Sequence, residues 1–248
     1  LECAARHHLM VNFHGATIPR GWQRTYPNMV SVEAVYGAEW YNNLPILTNR
    51  AACHNATIPF TRNVIGPMDY TPGLFEMEVE KLNPNNKSHV NATICNQLAL
   101  YVTLYSPLQM AADTPENYER FMDAFQFIKD VAIDWSDSRY IEAEVGEYIT
   151  VARKAKNTGE WFLGSVAGYD ARTSTVALDF LEPDQVYVAK IYADAADAHY
   201  KTNPQAYTIR EVRCTSKSTL KQAVAAGGGY AVSFRKATAA DKKLKMLK

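Results

Sequence analysis

The spacing of apolar residues changes at about residue 133 of the chain. Before this point, apolar residues recur every three or four positions in several segments, and short apolar runs stand between long loops. After it, polar and apolar residues alternate, which is the pattern of half-buried strands. We therefore predict an α/β part over residues 1–132 and a small antiparallel β domain over residues 133–248.

In the first part, predicted strands alternate with predicted helices, which favours a parallel sheet or barrel with helical crossovers. The predicted strands cover residues 10–15, 57–66 and 107–111. The predicted helices end near residue 10 or cover residues 92–105 and 116–131, and the last has a buried stripe of Tyr118, Phe121, Met122, Phe125 and Ile128. In the β domain, six strands are predicted, over residues 147–155, 160–168, 173–181, 186–194, 207–215 and 228–236.

Charge and cysteine content exclude several kinds of partner and site. The 26 basic and 26 acidic residues balance, so we expect no binding to nucleic acid or to an anionic membrane surface. The sequence contains no run of about 18 apolar residues, the length needed to span a bilayer. Four cysteines, Cys3, Cys53, Cys95 and Cys214, lie too far apart for a typical zinc site, and they neither require nor exclude disulfides.

Polar residues that could act in catalysis or binding follow the ends of the predicted strands, where parallel barrels carry their active sites. His14 ends the first strand, and Glu33 and Glu39 stand six residues apart in the loop after it. Two glutamates could supply some of the oxygen ligands that a calcium ion needs. A pair of carboxyl groups is also what most glycosidases use for catalysis. At this point His14 is either a packed turn residue or a substrate contact, and both interpretations stay open.

Six ordered segments resemble the C-terminal part of glycoside hydrolase family 97. They are VNFHGATIPRGWQRTYPN, VEAVYGAE, PFTRNVIGPMDYTPG, QLALYVTLYSPLQMAAD, GEYITVARK and GGGYAVSF, and together they extend over nearly the whole chain. The resemblance implies the C-terminal portion of a (β/α)8 TIM barrel, roughly its sixth to eighth strands, followed by a small antiparallel β-sandwich. We therefore expect a C-terminal fragment of a longer protein, with the missing N-terminal part as its partner.

The resemblance also implies roles for individual residues and a calcium ion (Ca2+). Glu39, in the GAE segment, takes the place of the general acid and also touches the metal. Glu33 takes the place of an acidic metal ligand, and His14 that of a sugar contact. The implied substrate is an oligosaccharide or another α-glycoside, and the implied location is the periplasm or the cell exterior. Asp69 and Asp113 match family motifs too, but we interpret them as turn and cap residues because prolines surround them.

Gly15 departs from part of the family pattern. Inverting members, which are α-glucosidases, carry a glutamate directly after the histidine, where this chain has glycine. The resemblance therefore favours the retaining branch, associated chiefly with α-galactosides, whose aspartate nucleophile is expected upstream of Leu1. Two alternatives stay open: an inverting α-glucosidase whose base comes from elsewhere, and a catalytically incomplete fragment that binds sugar weakly.

Overall fold

Three successive chain segments run in parallel in the first part of the molecule. The computed structural model describes residues 1–43 and 48–247. Strand β1 (Val11–Phe13) pairs in parallel with β2 (Met29–Val32), and a parallel bridge joins Val32 to Met68. The carboxyl ends of all three segments therefore lie at one edge, as expected for a piece of a parallel sheet.

Short helices precede, connect and follow these segments. They are α1 (Glu2–Arg6), α2 (Trp22–Thr25), α3 (Trp40–Asn43), α4 (Ala51–Asn55), α5 (Ile94–Thr103), α6 (Pro115–Glu119) and α7 (Met122–Asp130). Turns of 3-10 helix cover Ile58–Phe60, Arg62–Ile65, Val79–Lys81 and Ala239–Lys243. Among the described residues, no helix has the length and apolar character needed to cross a membrane.

Two predicted strands of this part are wrong. Residues 57–66 form 3-10 turns instead, because Pro59 lies in the first of them and cannot donate a ladder hydrogen bond. The buried Arg62 then donates to the carbonyl oxygens of Val32, Gly66 and Pro67 at 2.7, 3.2 and 3.1 Å. Residues 107–111 are also irregular, and the third parallel segment is formed at Met68.

The helix predicted over residues 116–131 is broken in two. Helix α6 ends before Arg120, and α7 begins at Met122. Because of this break, Met122 of the predicted stripe is 45% exposed, whereas Phe127 is buried. Helix α5, by contrast, lies within the predicted range of 92–105 and is buried along its whole length.

The β domain contains the six predicted strands and two that the pattern did not show. The strands are β3 (Trp135–Glu144), β4 (Tyr148–Ala155), β5 (Trp161–Ala167), β6 (Arg172–Ala177), β7 (Tyr187–Asp194), β8 (Tyr207–Cys214), β9 (Thr219–Val224) and β10 (Gly229–Lys236). One antiparallel sheet has the strand order β3-β4-β5-β10-β7-β8, and the β6-β9 pair forms a second sheet that shares a buried hydrophobic cluster with it. The unpredicted β3 is an edge strand with no fully buried residue, so its apolar alternation is weak.

The two predicted domains share one hydrophobic core. Leu98 and Val102 of α5 belong to the same buried cluster as Val151 and Phe162 of the sheet. The helix can lie this close because the sheet has glycine beneath it: a Cβ at Gly164 would stand 2.5 Å from the Ala99 carbonyl oxygen. The boundary at residues 132/133 stays a prediction, and residues 44–47 and 248, which the two domains include, lie outside the described residues.

A buried carboxylate joins the start of α5 to the sheet. Asp194 accepts hydrogen bonds from the Thr93 hydroxyl at 2.7 Å and from the Ala225 and Gly229 amides at 3.0 and 2.8 Å. Thr93 in turn caps α5 by accepting from the Asn96 amide at 3.1 Å. Burial raises the pKa of Asp194 to about 6, although these hydrogen bonds oppose the rise.

This raised pKa predicts that Asp194 makes stability depend on pH. The folded protein holds the proton more tightly than the unfolded chain, so the contribution is complete below pH 3.8 and is lost as pH rises through about 6. The Asp194→Asn variant has no titratable group at this position. Between about pH 4 and about pH 7, we expect the wild type to lose on the order of 2 kcal/mol of unfolding free energy relative to this variant, measured by urea denaturation.

The matched control is Asp170→Asn, which makes the same chemical change at an exposed position. Its pH profile should parallel that of the wild type. If the Asp194→Asn profile were also parallel to the wild type, the assigned proton would not be at Asp194.

Candidate functional site

The candidate site lies where the three parallel segments end. His14 follows β1, Glu33 follows β2 directly, and Asp69 follows Met68. Glu33 and Glu39 were expected in the loop after the first strand, but they follow β2, because residues 29–32 form a strand that the sequence pattern did not reveal.

The loop from Glu33 to Glu39 is not helical, and Gly37 holds it against the next segment. The Ala38 amide donates to the Tyr70 carbonyl oxygen at 2.8 Å. A Cβ at Gly37 would stand 2.8 Å from that same oxygen, so only glycine permits this approach. Gly37 therefore acts by close backbone contact, and this contact places Glu39 near His14.

The structure brings His14, Glu33 and Glu39 together. The Nδ1 atom of His14 lies 3.7 Å from Glu33 Oε1 and 3.8 Å from Glu39 Oε1. Both distances exceed that of a hydrogen bond, so they leave room between the groups. Glu33 is buried, whereas the Glu39 side chain is 48% exposed. Of the two carboxylates, Glu39 is thus the one that an external molecule can reach.

Glu33 is held in place by the backbone of Gly15. The Gly15 amide donates to Glu33 Oε2 at 2.7 Å, which leaves Oε1 on the side of His14. Gly15 adopts a φ of +59°, and a Cβ there would meet no atom within 4 Å. The space beside Gly15 is therefore open, and the backbone conformation is the one that favours glycine.

Asp69 belongs to the site, which the interpretation as a turn residue missed. It is fully buried, and its Oδ2 lies 2.7 Å from His14 Nε2 and accepts from the Asn12 amide group at 2.6 Å. Its Oδ1 also accepts from the Thr71 amide, as a turn residue would. The signal for this role that the sequence contained was the position of a carboxylate just after a strand end. Asp113 is structural, as predicted, because it accepts from the amides of Phe75 and Glu76.

Three carboxylates around one imidazole shift the pKa of both His14 and Glu39. Burial lowers the pKa of His14, but the hydrogen bond and charge of Asp69, with the charges of Glu33 and Glu39, raise it overall. The pKa of Glu39 is raised chiefly by its hydrogen bond to Glu33, and further by burial and by the Glu33 charge. A raised pKa keeps a carboxyl group protonated at higher pH, as a general acid requires.

The same residues have the spacing of metal ligands. Within residues 1–43 and 48–247, His14, Glu33 and Glu39 form a group whose ligand atoms lie within 4.8 Å of one another. Carboxylate oxygens suit Ca2+, which takes six to eight oxygen ligands. The two glutamates therefore fit a calcium site as part of its ligand set, and imidazole nitrogen is not a ligand that Ca2+ prefers.

Two family models match the chain. The one described as "Glycosyl-hydrolase 97 C-terminal, oligomerisation" matches residues 134–235. The one described as "Glycoside hydrolase 97" matches residues 1–35, a range that includes His14, Gly15 and Glu33.

Two curated relatives are similar over most of the chain. A retaining alpha-galactosidase from Bacteroides thetaiotaomicron is 33% identical over 237 residues, which are 94% of this chain and 35% of the relative. A probable retaining alpha-galactosidase from Streptomyces bingchenggensis is 35% identical over 93% of this chain and 32% of its own length. The chain thus spans about a third of the length of these relatives.

Solved structures confirm the predicted fold class. A Glycoside Hydrolase Family 97 enzyme from Pseudoalteromonas sp. strain K8, in complex with panose, matches with a TM-score of 0.87 and 38% identity over 96% of this chain and 36% of its own. A beta-arabinopyranosidase matches with a TM-score of 0.81 and 26% identity over 94% of this chain and 35% of its own.

The contact between Asp69 and His14 predicts a change in the protonation of the histidine. Because Asp69 raises the pKa of His14, Asp69→Asn should lower it. The measurement is NMR titration of the His14 ring protons in protein freed of divalent cations. Asp113→Asn is the control, since that carboxylate binds backbone amides away from His14. An unchanged His14 titration in Asp69→Asn would contradict the contact.

Proposed function

Because the chain belongs to glycoside hydrolase family 97, we propose that it is the C-terminal part of a retaining, calcium-dependent α-galactosidase. The observation that carries this proposal is the meeting of His14, Glu33 and Glu39 at the carboxyl edge of the parallel segments. The names of the two curated relatives support the retaining mechanism and the galactoside substrate. We further propose that β1, β2 and the Met68 segment are the sixth to eighth strands of a (β/α)8 barrel.

Glu39 is proposed as the general acid and base. In the first step it gives its proton to the glycosidic oxygen as the bond to the leaving group breaks, while a carboxylate nucleophile bonds to the anomeric carbon. In the second step Glu39 takes a proton from water, whose oxygen displaces that carboxylate. Each displacement inverts the anomeric carbon, so the two together retain the configuration. The exposure of Glu39 and its raised pKa support this role. The nucleophile is proposed to be an aspartate upstream of Leu1.

His14 is proposed as a sugar contact. Its side chain is 33% exposed. Asp69 holds the ring in place, with 2.7 Å between Asp69 Oδ2 and His14 Nε2. Nδ1 lies too far from both glutamates for a hydrogen bond. It is therefore free to bond a sugar hydroxyl placed among these groups.

Glu33 and Glu39 are proposed to hold the calcium ion. When bound, Ca2+ supplies a positive charge and binding positions for oxygen ligands, among which sugar hydroxyls are suitable. The hydrogen bond from Gly15 fixes Glu33 with one oxygen directed toward this position. A periplasmic or secreted location is proposed on the family resemblance alone.

An inverting α-glucosidase is the second candidate. It is favoured by the panose complex of the Pseudoalteromonas enzyme, which is 38% identical to this chain. Gly15 argues for the retaining alternative, because no carboxylate stands where the inverting pattern has one. A third possibility is a fragment that binds sugar weakly and lacks catalysis on its own, since the chain spans about a third of its relatives.

The calcium proposal predicts a loss of binding in Glu33→Gln. The glutamine keeps an oxygen that can accept from the Gly15 amide but removes the negative charge, so Ca2+ affinity of the full-length enzyme should fall by about tenfold or more. Isothermal titration calorimetry measures this. The control is Glu116→Gln, at an exposed carboxylate. Equal affinity of the Glu33 variant and the wild type would contradict the assignment.

The catalytic proposal predicts that Glu39→Gln loses activity and that azide restores part of it. Without the acid and base, kcat/KM on alkyl α-galactosides should fall by about a hundredfold or more. On an aryl α-galactoside, azide needs no general base to attack the enzyme-bound sugar. Proton NMR should then show galactosyl azide with the anomeric configuration of the substrate, because two displacements retain it.

Two outcomes would contradict this assignment. Near wild-type turnover by Glu39→Gln would exclude the acid and base role. Galactosyl azide of inverted configuration, or an inverted sugar as the first product of the wild type, would favour the inverting candidate.

A further inference from the structure

A cleft of about 540 Å³ opens beside Glu39. Its walls come from the loop after β2, from residues 71–90 and from residues 110–112. Glu39 lines this cleft, whereas His14, Glu33 and Asp69 do not. Glu39 is therefore close to His14, 3.8 Å from its Nδ1 atom, and also lines the cleft, which His14 does not.

The lining of the cleft is largely apolar. Leu74, Val79, Leu82, Val90 and Met110 contribute to it. The other carboxylate in the lining, Glu76, is buried and is bound by Arg120 at 2.9 Å and by Lys81 at 3.1 Å. Its charge is thus compensated within the protein, and the ligand is left to meet mainly hydrocarbon. The volume lies in the range of about 300–1,000 Å³ that is usual for small-molecule sites.

We propose that this cleft binds the aglycone of the substrate, the group that leaves with the glycosidic oxygen, and that it selects an apolar aglycone. The inference rests on the proposed function of Glu39. A general acid stands between the sugar and the leaving group, because it protonates the oxygen that joins them. His14 is proposed to contact the sugar and does not line the cleft, whereas Glu39 does, so the cleft is the place for the aglycone. An apolar lining favours an alkyl or aryl group over a second sugar, whose hydroxyls need polar partners.

The test compares substrates that differ in the aglycone alone. For the full-length wild type, kcat/KM on octyl α-D-galactopyranoside should exceed that on the methyl glycoside by about tenfold or more, since each methylene in an apolar pocket adds binding energy. Leu82→Asp places a charge on the rim of the cleft, where Leu82 is 47% exposed, and should remove this preference. Met122→Asp is the matched control, at a 45% exposed position outside the cleft lining, and should keep it.

A substrate without a bulky aglycone separates binding in the cleft from general damage. α-Galactosyl fluoride should be hydrolysed equally by the wild type and by Leu82→Asp. The proposal is overturned if the wild type shows no preference for the octyl glycoside, if Leu82→Asp keeps the preference, or if the fluoride and the octyl glycoside lose activity together.

If the enzyme hydrolyses no α-galactoside, the proposed function is refuted. The assignment of the cleft can still be tested by measuring whether the octyl glycoside binds there. Saturation-transfer NMR from the protein to the octyl chain of octyl α-D-galactopyranoside should be strong in the wild type and in Met122→Asp. It should be lost in Leu82→Asp. Equal transfer in all three proteins, or none in the wild type, would overturn the assignment of the cleft.

Discussion

The packing of helix α5 on the β sheet is the constraint on which the rest of the structure depends. The helix is buried along its whole length, so its polar groups need partners within the protein. Asp194 provides them at the helix start through Thr93, and Gly164 allows the sheet backbone to approach Ala99. A side chain at Gly164 would separate two surfaces that share one core.

The same helix positions the loops of the candidate site. The side-chain oxygen of Gln97 accepts from the Gly73 and Leu74 amides at 3.0 and 3.2 Å. The Tyr101 hydroxyl donates to the carbonyl oxygen of Met110 at 2.6 Å. These contacts hold the loop after Asp69 and one wall of the cleft. By fixing the helix, the β domain therefore supports the candidate site, to which none of its described residues contributes.

The sequence predicted what repeats along the chain and missed what depends on distant contacts. Helix α5 and the alternating strands of the β domain follow from periodicity, and His14, Glu33 and Glu39 from motifs. The turns at residues 57–66 depend on Arg62 reaching the end of β2, which no local pattern shows. The role of Asp69 in the site cannot be seen locally either, because its contact with His14 joins positions 55 residues apart.

If the site holds a divalent cation, as proposed, its charges couple metal binding to proton binding. Glu33 and Asp69 are buried, and Glu39 and His14 lie beside them. Buried carboxylates in contact repel one another unless positive charge compensates them. A proton on His14, a proton on Glu39 and a divalent cation can each supply that charge. A cation held by Glu33 and Glu39, as proposed, would lower the need for the proton on Glu39, because its positive charge would compensate both carboxylates.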